Sequence, residues 1–258
     1  MIQISPMLAQ FNGLIWFVLT LLPLLFLQRL LHREIQAVFL ILSRSERFTV
    51  TIFSLIFLPG VLLHELSHYG MAVLLGIETA RFSLIPQVLD DGRLQLGFVE
   101  TAKSDIVRDS LVGAAPLLVG GGFVAFMALV PLHLQPMWAV LRNGQLGLFW
   151  FGITGLFTIH DFPFWFYITF AVSSTMLPSQ SDRHAWLPLG VTIVVLIALA
   201  ILAGSGPWML TYLAPPLNAF LSAAAIIFGL SAAVHIVMIL PMMLIHFLLS
   251  RLTGVDVQ

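Results

Sequence analysis

Long runs of apolar residues, separated by short polar stretches, fill most of this 258-residue chain and limit what it can fold into. Hydrophobic residues make up 59% of the sequence and charged residues only 9%, whereas soluble domains contain about 25% charged residues. No soluble core of this size can bury so much apolar side chain. Because a helix satisfies its own backbone hydrogen bonds, the sequence predicts an all-α polytopic protein embedded in a lipid bilayer.

The spacing of the apolar runs predicts about six transmembrane helices, since a span takes about 20 residues. We assign spans to the apolar runs at residues 8–31, 48–77, 111–132, 148–177, 186–202 and 217–249, with a Gly/Pro-rich loop at 204–216. The run at 148–177 is too long for one simple span and too short for two. Basic residues are divided almost evenly between the two sets of loops, so the orientation of the termini stays open.

Three parts follow from this pattern. We divide the chain into an N-terminal helix with an interfacial segment near 36–42 (residues 1–47), a core (48–186) and C-terminal helices (187–258). Between the second and third spans, charged residues and the turn signal Asp90-Asp91-Gly92 predict a β-hairpin at 78–104. The hairpin is either a plain connection or an exposed edge that accepts an extended peptide by strand addition.

Composition also limits the ligands of the protein. The chain has no cysteine, so a metal ion must be bound by His, Asp or Glu. Its net charge is −1 and it has no basic stretch, which argues against a nucleic-acid partner.

The segment His64-Glu65-Leu66-Ser67-His68 places a zinc-site signature inside the second apolar run. Histidines at positions i and i+4 project from one face of a helix, where both imidazoles can bind one Zn²⁺ and the adjacent glutamate can reach a water on the same metal. We therefore predict His64 and His68 as zinc ligands and Glu65 as the catalytic base. The other interpretation is a polar cluster that neighbouring helices satisfy.

A catalytic zinc site needs a third protein ligand in addition to water. Asp182 is the preferred candidate, because it follows a helix end that contains Pro178, and unwound backbone at membrane depth is tolerated where it lines a cavity. Alternatively, Asp182 is a solvated residue that pairs with Arg183. The remaining candidates are His160, Asp161, His184, His235 and His246, with His160-Asp161 ranking next.

With these motifs in place, the chain resembles the site-2 protease family of intramembrane zinc metalloproteases. Three features carry the resemblance, which covers residues 48–186: the His-Glu motif in a span, the charged hairpin followed by Gly113-Ala114-Ala115-Pro116, and Asp182 after Met176-Leu177-Pro178. The resemblance implies a three-helix core in which His64, His68 and Asp182 hold zinc and Glu65 acts as base.

The chain departs from the family pattern in several places. Thr175 stands where the family usually has Asn, and Arg183 stands where it usually has Gly after the aspartate. The spacing from Pro178 to Asp182 is one residue shorter, and two alanines separate Gly113 from the following proline. No PDZ-like domain is inserted, so the chain looks like a divergent, minimal member of the family.

The family arrangement requires the His-Glu span and the span before Asp182 to run in the same direction, so that both reach one depth. We therefore expect residues 148–159 to be interfacial or re-entrant, with 162–177 as the crossing.

The resemblance implies hydrolysis of peptide bonds in a membrane-anchored protein substrate, by a zinc-activated water with Glu65 as general base. His160, Arg183 and His184 are candidate donors to the oxyanion. Other functions stay open: an ion or metal transporter, a non-catalytic zinc-binding scaffold, or a zinc protease acting on soluble or juxtamembrane peptides. We expect a prokaryotic cytoplasmic membrane protein, with substrate and oligomeric state undetermined.

Overall fold

The structure is a computed structural model that describes residues 11–88, 94–102 and 104–255. Its elements, in chain order, are α1 (Asn12–Ser43), α2 (Glu46–Leu74), β1 (Thr79–Ser83), β2 (Gln87–Val88), β3 (Leu94–Gln95), β4 (Phe98–Thr101), α3 (Ile106–Leu129), α4 (Gln135–Arg142), α5 (Leu146–Leu156), α6 (Phe162–Thr175), α7 (Trp186–Ala200) and α8 (Ala214–Thr253). Helices dominate, as the apolar sequence predicts.

Four helical segments within the described residues are long and apolar enough to cross a membrane: α1, α2, α3 and the continuous stretch Trp186–Thr253 that contains α7 and α8. An all-α fold of the membrane type is thereby confirmed. The fourth segment joins two predicted spans, and α6, with 14 residues, is shorter than a usual span. For this reason the number of crossings does not follow from helix length alone.

The Gly/Pro-rich loop predicted at 204–216 is wrong, because helical turns continue through it. Gly204 alone breaks the helical backbone, with a φ of +88° that favours glycine. Pro207 lies in the first turn of the short helical segment Gly206–Trp208, and Pro215 lies in the first turn of α8. At such positions the missing N–H removes no hydrogen bond. The prolines therefore start helices here instead of ending them.

Helix α1 also continues through residues 36–42, where the sequence predicts a separate interfacial segment. Ala37, Val38 and Ile41 are buried on one face of this part of the helix, so tertiary packing keeps it helical. The helix ends at Arg44, whose φ of +51° is left-handed. Ser45 then caps α2 by accepting a hydrogen bond from the Phe48 N–H (3.4 Å).

The core is formed by α2 and α6, with α3 beside them. Tyr167 Oη donates to the Ile56 carbonyl (2.9 Å), and the rings of Phe57 and Phe170 lie 5.4 Å apart. Residue numbers therefore increase in the same direction along both helices. Gly60 makes this packing close, since a Cβ added there would overlap the Ala171 carbonyl.

Helices α1 and α8 form a second, parallel pair that covers α6. At one end the Gly13 N–H donates to Asn218 Oδ1 (2.6 Å), and at the other His246 Nδ1 lies 2.6 Å from Glu34 Oε2. Between these ends, side chains of the pair form one buried cluster with α3 and with the last turns and C-cap of α6; its buried members are Leu24, Val124, Val172, Met176, Phe228 and Ala232.

The predicted hairpin consists of two antiparallel ladders. β1 pairs with β4, with Arg81 opposite Glu100 and Phe82 opposite Val99, and β2 pairs with β3. The turn signal Asp90-Asp91-Gly92 lies outside the described residues.

Farther along, α5 has 11 residues, too few to cross a bilayer by itself.

The two glycines of α2 provide a matched test of helix packing. Gly60→Ala places a methyl group against the backbone of α6, so we expect it to destabilise the fold by about 1–3 kcal/mol through overpacking. Gly70→Ala has no atom within 4 Å of the new Cβ and should leave the stability unchanged or raise it through better helix propensity. Thermal unfolding of both variants in detergent measures the difference, and equal midpoints would contradict the described packing.

Candidate metal centre

Helix α2 presents His64 and His68 on one face, one turn apart, with their Nε2 atoms separated by 3.1 Å. The Nδ1 atoms face backbone carbonyls: His64 Nδ1 lies 2.7 Å from the Thr175 oxygen and His68 Nδ1 lies 2.8 Å from the Val112 oxygen. Because a carbonyl only accepts, both Nδ1 atoms carry the proton and donate. Each Nε2 therefore keeps a free lone pair, which is the usual arrangement of metal-binding histidines.

Asp182 approaches the same point from the loop between α6 and α7. Its Oδ2 lies 3.5 Å from His64 Nε2 and its Oδ1 lies 3.3 Å from His68 Nε2. The Ser179 N–H donates to Oδ2 (2.6 Å), and the Asp182 N–H donates to Ser179 Oγ (3.2 Å). These reciprocal bonds orient the carboxylate toward the imidazoles.

Helix α3 holds the loop in this position. Gly113 lies directly against the Asp182 backbone, where a Cβ would overlap the Asp182 carbonyl oxygen. Trp186 Nε1 donates to the Ser110 carbonyl (3.3 Å), which ties the end of the loop to the same part of α3. The small residue at position 113 is thus required for the close approach of the loop.

The charge of Asp182 suits a ligand. An aspartate carboxyl normally ionises well below neutral pH, and the Ser179 N–H that donates to Asp182 Oδ2 (2.6 Å) favours the charged form further. The carboxylate is therefore ionised at neutral pH and brings a negative charge to the two neutral imidazoles.

The three side chains fit a divalent cation. Tetrahedral zinc with bonds of about 2.0–2.1 Å separates its ligand atoms by about 3.3–3.4 Å. The two Nε2 atoms lie 3.1 Å apart, and each has one oxygen of Asp182 at a similar distance, Oδ2 3.5 Å from His64 and Oδ1 3.3 Å from His68. Histidine, aspartate and glutamate side chains can bind a metal ion. Within the part of the chain that the structure describes, His64, His68 and Asp182 are the one group of three or more of these residues placed closely enough to hold one. The geometry leaves the identity of the metal open.

Glu65 follows directly after His64 and is buried, with 6% of its surface exposed. The hairpin approaches it closely, since a Cβ added at Gly97 would lie 2.9 Å from Glu65 Cγ and 3.2 Å from Oε1. Gly97 therefore allows the strand connection to pass beside the carboxylate.

A cavity of about 1010 Å³ contains the whole group, and we name it the metal cavity. One side of it is a continuous stretch of the hairpin, residues 96–101, and the other sides come from α1, α2, α3, α6 and the loop that contains Asp182. The space is many times larger than a metal ion with one water, so it has room for a second molecule.

The structure separates several predicted site residues from the metal centre. His160 and Asp161 precede α6, whereas the metal centre lies at its other end, about 20 Å away at 1.5 Å per residue. Both are exposed, and Asp161 Oδ2 accepts from Trp165 Nε1 (2.7 Å). Their candidacy as third ligand or oxyanion donor is wrong, because the parallel course of α2 and α6 places them at the wrong depth.

The two residues after Asp182 lie at the edge of the site. Arg183 is exposed and its Nε donates to the Ser179 carbonyl (3.1 Å), so the alternative pairing of Asp182 with Arg183 is not what the structure contains. His184 lines the metal cavity with Nε2 3.7 Å from Asp109 Oδ2 and Nδ1 2.7 Å from the Ser181 carbonyl.

His235 and His246, the remaining candidates for third ligand, lie elsewhere. His235 is fully buried, with Nδ1 2.7 Å from the Ser231 carbonyl and Nε2 3.1 Å from Ser174 Oγ. His246 pairs with Glu34 on α1. Both serve contacts between helices.

Sequence reasoning missed Gln28, His32 and Ser174, which line the metal cavity from α1 and α6. Gln28 Nε2 donates to the Ser174 carbonyl (2.6 Å). A signal was present for Gln28, because it lies inside the apolar run 8–31, and a polar side chain inside such a run marks function or internal contacts. His32 directly follows that run. The sequence gives no signal for the Thr175 and Val112 carbonyls that accept from His64 and His68, because every residue has a backbone carbonyl.

Comparisons with known proteins find no match: no family model, no curated protein and no solved structure corresponds to the chain. The geometry of the site therefore carries the functional argument.

Metal analysis of purified variants tests the ligand set. His64→Ala, His68→Ala and Asp182→Ala should each lower zinc affinity by more than the roughly 10–100-fold that loss of an outer partner causes. His160→Ala and His184→Ala are the controls and should retain the zinc content of the wild type. Zinc retained by Asp182→Ala, or lost from His160→Ala, would refute the assignment.

Proposed function

We propose that this chain is an intramembrane zinc metalloprotease that resembles the site-2 proteases and hydrolyses peptide bonds of membrane-anchored proteins. The observation that carries the proposal is the convergence of His64, His68 and Asp182 beside Glu65. Three ligands leave the fourth zinc position for water, as in catalytic sites, whereas structural zinc sites are closed by four protein ligands. The described residues supply three, which favours an enzyme over a scaffold.

The zinc ion, when bound, supplies Lewis-acid chemistry that polarises the scissile carbonyl and makes water nucleophilic at neutral pH. Glu65 supplies the proton transfers: its carboxylate accepts a proton from the attacking water and returns it to the leaving amine nitrogen. Throughout the reaction, His64 and His68 keep the proton on Nδ1 and donate it in hydrogen bonds to the Thr175 and Val112 carbonyls. Both imidazoles therefore stay neutral and fixed in orientation.

The hairpin offers a way to bind the substrate. Among the described strands, β4 pairs with β1 alone, and residues 96–101 line the metal cavity. An extended peptide added along this edge would place its carbonyl groups near Glu65, because Gly97 lies against that side chain. Backbone hydrogen bonds bind any sequence in such an arrangement, so side-chain pockets must provide selectivity.

We infer six crossings in an integral membrane protein, with α6 as a short crossing that shares the direction of α2. The long apolar helices support residence in a membrane. The last turn of α6 lies at the depth of His64, so the Thr175 carbonyl can accept a hydrogen bond from His64 Nδ1. After this turn the chain leaves the helix and leads to Asp182. A prokaryotic cytoplasmic membrane remains our proposal for its location.

The role of Glu65 is tested by Glu65→Gln. The amide cannot take the proton from water, so we expect bound zinc to be retained and cleavage of a membrane-anchored substrate to fall by a factor of about 10²–10⁴. Glu46→Gln, at the exposed start of the same helix, is the matched control and should cleave at the wild-type rate. Zinc content and cleavage in detergent or proteoliposomes are measured together, and wild-type cleavage by Glu65→Gln would refute the base assignment.

Substrate unwinding gives a further prediction. Helical carbonyls are hydrogen-bonded, so a transmembrane substrate must open locally before its backbone can be attacked. Placing Gly in the middle of the substrate helix costs about 1 kcal/mol of helix stability per residue relative to Ala. A two-glycine substrate should therefore be cleaved faster than its alanine counterpart by about tenfold or more. Equal rates would indicate that opening does not limit cleavage.

The transporter alternative makes a different prediction. Proteoliposomes loaded with a zinc-sensitive dye should show no protein-dependent zinc influx if the site serves catalysis. Influx that His64→Ala abolishes would replace the protease proposal by transport.

A further inference from the structure

The end of helix α6 is held by side chains from helices outside the three-helix core. An α-helix leaves its last carbonyls without intrahelical donors, and Pro178, two residues after the Met176 cap, has no N–H to offer. Of these terminal carbonyls, Ser174 O accepts from Gln28 Nε2 of α1 (2.6 Å) and Thr175 O accepts from His64 Nδ1 of α2 (2.7 Å). Two adjacent carbonyls of the last helical turn thus accept hydrogen bonds, one from Gln28 of α1 and one from His64.

Helix α8 holds the same turn through a side chain. His235 Nδ1 donates to the Ser231 carbonyl, which leaves Nε2 to accept from Ser174 Oγ (3.1 Å). His235 and Ser174 are both at most 1% exposed, so water does not compete for this bond. The tautomer of His235 is fixed in the same way as that of the metal-binding histidines.

We propose that Gln28 and His235 are positioning residues for the metal centre: through Ser174 they fix the last turn of α6, and the Thr175 carbonyl of that turn orients the imidazole of His64. This inference rests on the proposed metal site and extends it to the helix pair α1 and α8. The pair packs along its length, from Gly13–Asn218 to Glu34–His246, and each of its helices contributes its own bond to Ser174.

The distances explain why such positioning matters. His64 Nε2 already lies 3.1 Å from His68 Nε2 and 3.5 Å from Asp182 Oδ2, close to the ligand separations of a tetrahedral site. A shift of the α6 terminus moves the Thr175 carbonyl and rotates His64 away from this arrangement. Loss of outer partners of metal ligands typically lowers metal affinity about 10–100-fold.

The test measures Zn²⁺ affinity of the purified full-length chain by competition with a chelator, together with the absorption spectrum of the Co²⁺-loaded protein. Gln28→Met keeps the length of the side chain and removes the donor, and His235→Phe keeps a ring and removes the acceptor. We expect each to weaken Zn²⁺ binding by about tenfold or more and to change the Co²⁺ bands. His235→Gln restores an acceptor for Ser174 Oγ and should recover most of the affinity.

Glu34→Gln is the matched control, because it weakens the contact of α1 with α8 at His246 and leaves the bonds of Gln28 and His235 to Ser174 in place. It should lower the thermal midpoint and leave Zn²⁺ affinity unchanged. If His235→Phe does not fold, Ser174→Ala, which removes the hydroxyl that bonds His235, replaces it with the same expected weakening. If Gln28→Met does not fold, Gln28→Leu, which also removes the donor to the Ser174 carbonyl, replaces it.

Two results would overturn the inference, and they are distinguishable. A wild-type chain that binds Zn²⁺, with Gln28→Met and His235→Phe binding it no more weakly than Glu34→Gln does, refutes positioning and leaves the proposed metal site intact. A wild-type chain that does not bind Zn²⁺ refutes both the metal site and its positioning.

Discussion

The hydrogen bonds from two imidazoles to two backbone carbonyls are the interactions on which the rest of this site depends. The Thr175 carbonyl fixes His64 and the Val112 carbonyl fixes His68, so both rings turn their Nε2 atoms to one point. A neutral imidazole must donate from one nitrogen to offer the other. The carbonyls come from α6 and α3, which means that the orientation of both rings on α2 is decided by its two neighbours.

Close helix contacts make these bonds possible. Gly60 lets α6 approach α2, and Gly113 lets the loop with Asp182 rest on α3. In a membrane the hydrophobic effect does not drive helices together, and small residues at the interface gain van der Waals contact instead. The same glycines that stabilise packing therefore bring His64, His68 and Asp182 to the same place.

A polar group at membrane depth is expensive unless it is paired, and the described residues largely follow that rule. Gln28, His235 and Ser174 bind one another or backbone carbonyls, and Glu34 binds His246. The Nε2 atom of His32 is an exception, since it is buried without a hydrogen-bond partner among the described residues. His32 also lines the metal cavity, where a bound molecule can supply the missing partner.

The sequence by itself determined that the chain is helical and apolar enough for a membrane, that the polar stretch after α2 forms a hairpin, and that His64 and His68 share one helix face. These features are local, because they depend on hydrophobic runs, turn residues and a four-residue spacing. Tertiary structure decided the rest: that Asp182 and not His160-Asp161 meets the histidines, that residues 204–216 stay helical around Gly204, and that Gln28 and His235 reach the end of α6. These outcomes depend on the relative direction and distance of helices far apart in the chain, which no single segment encodes.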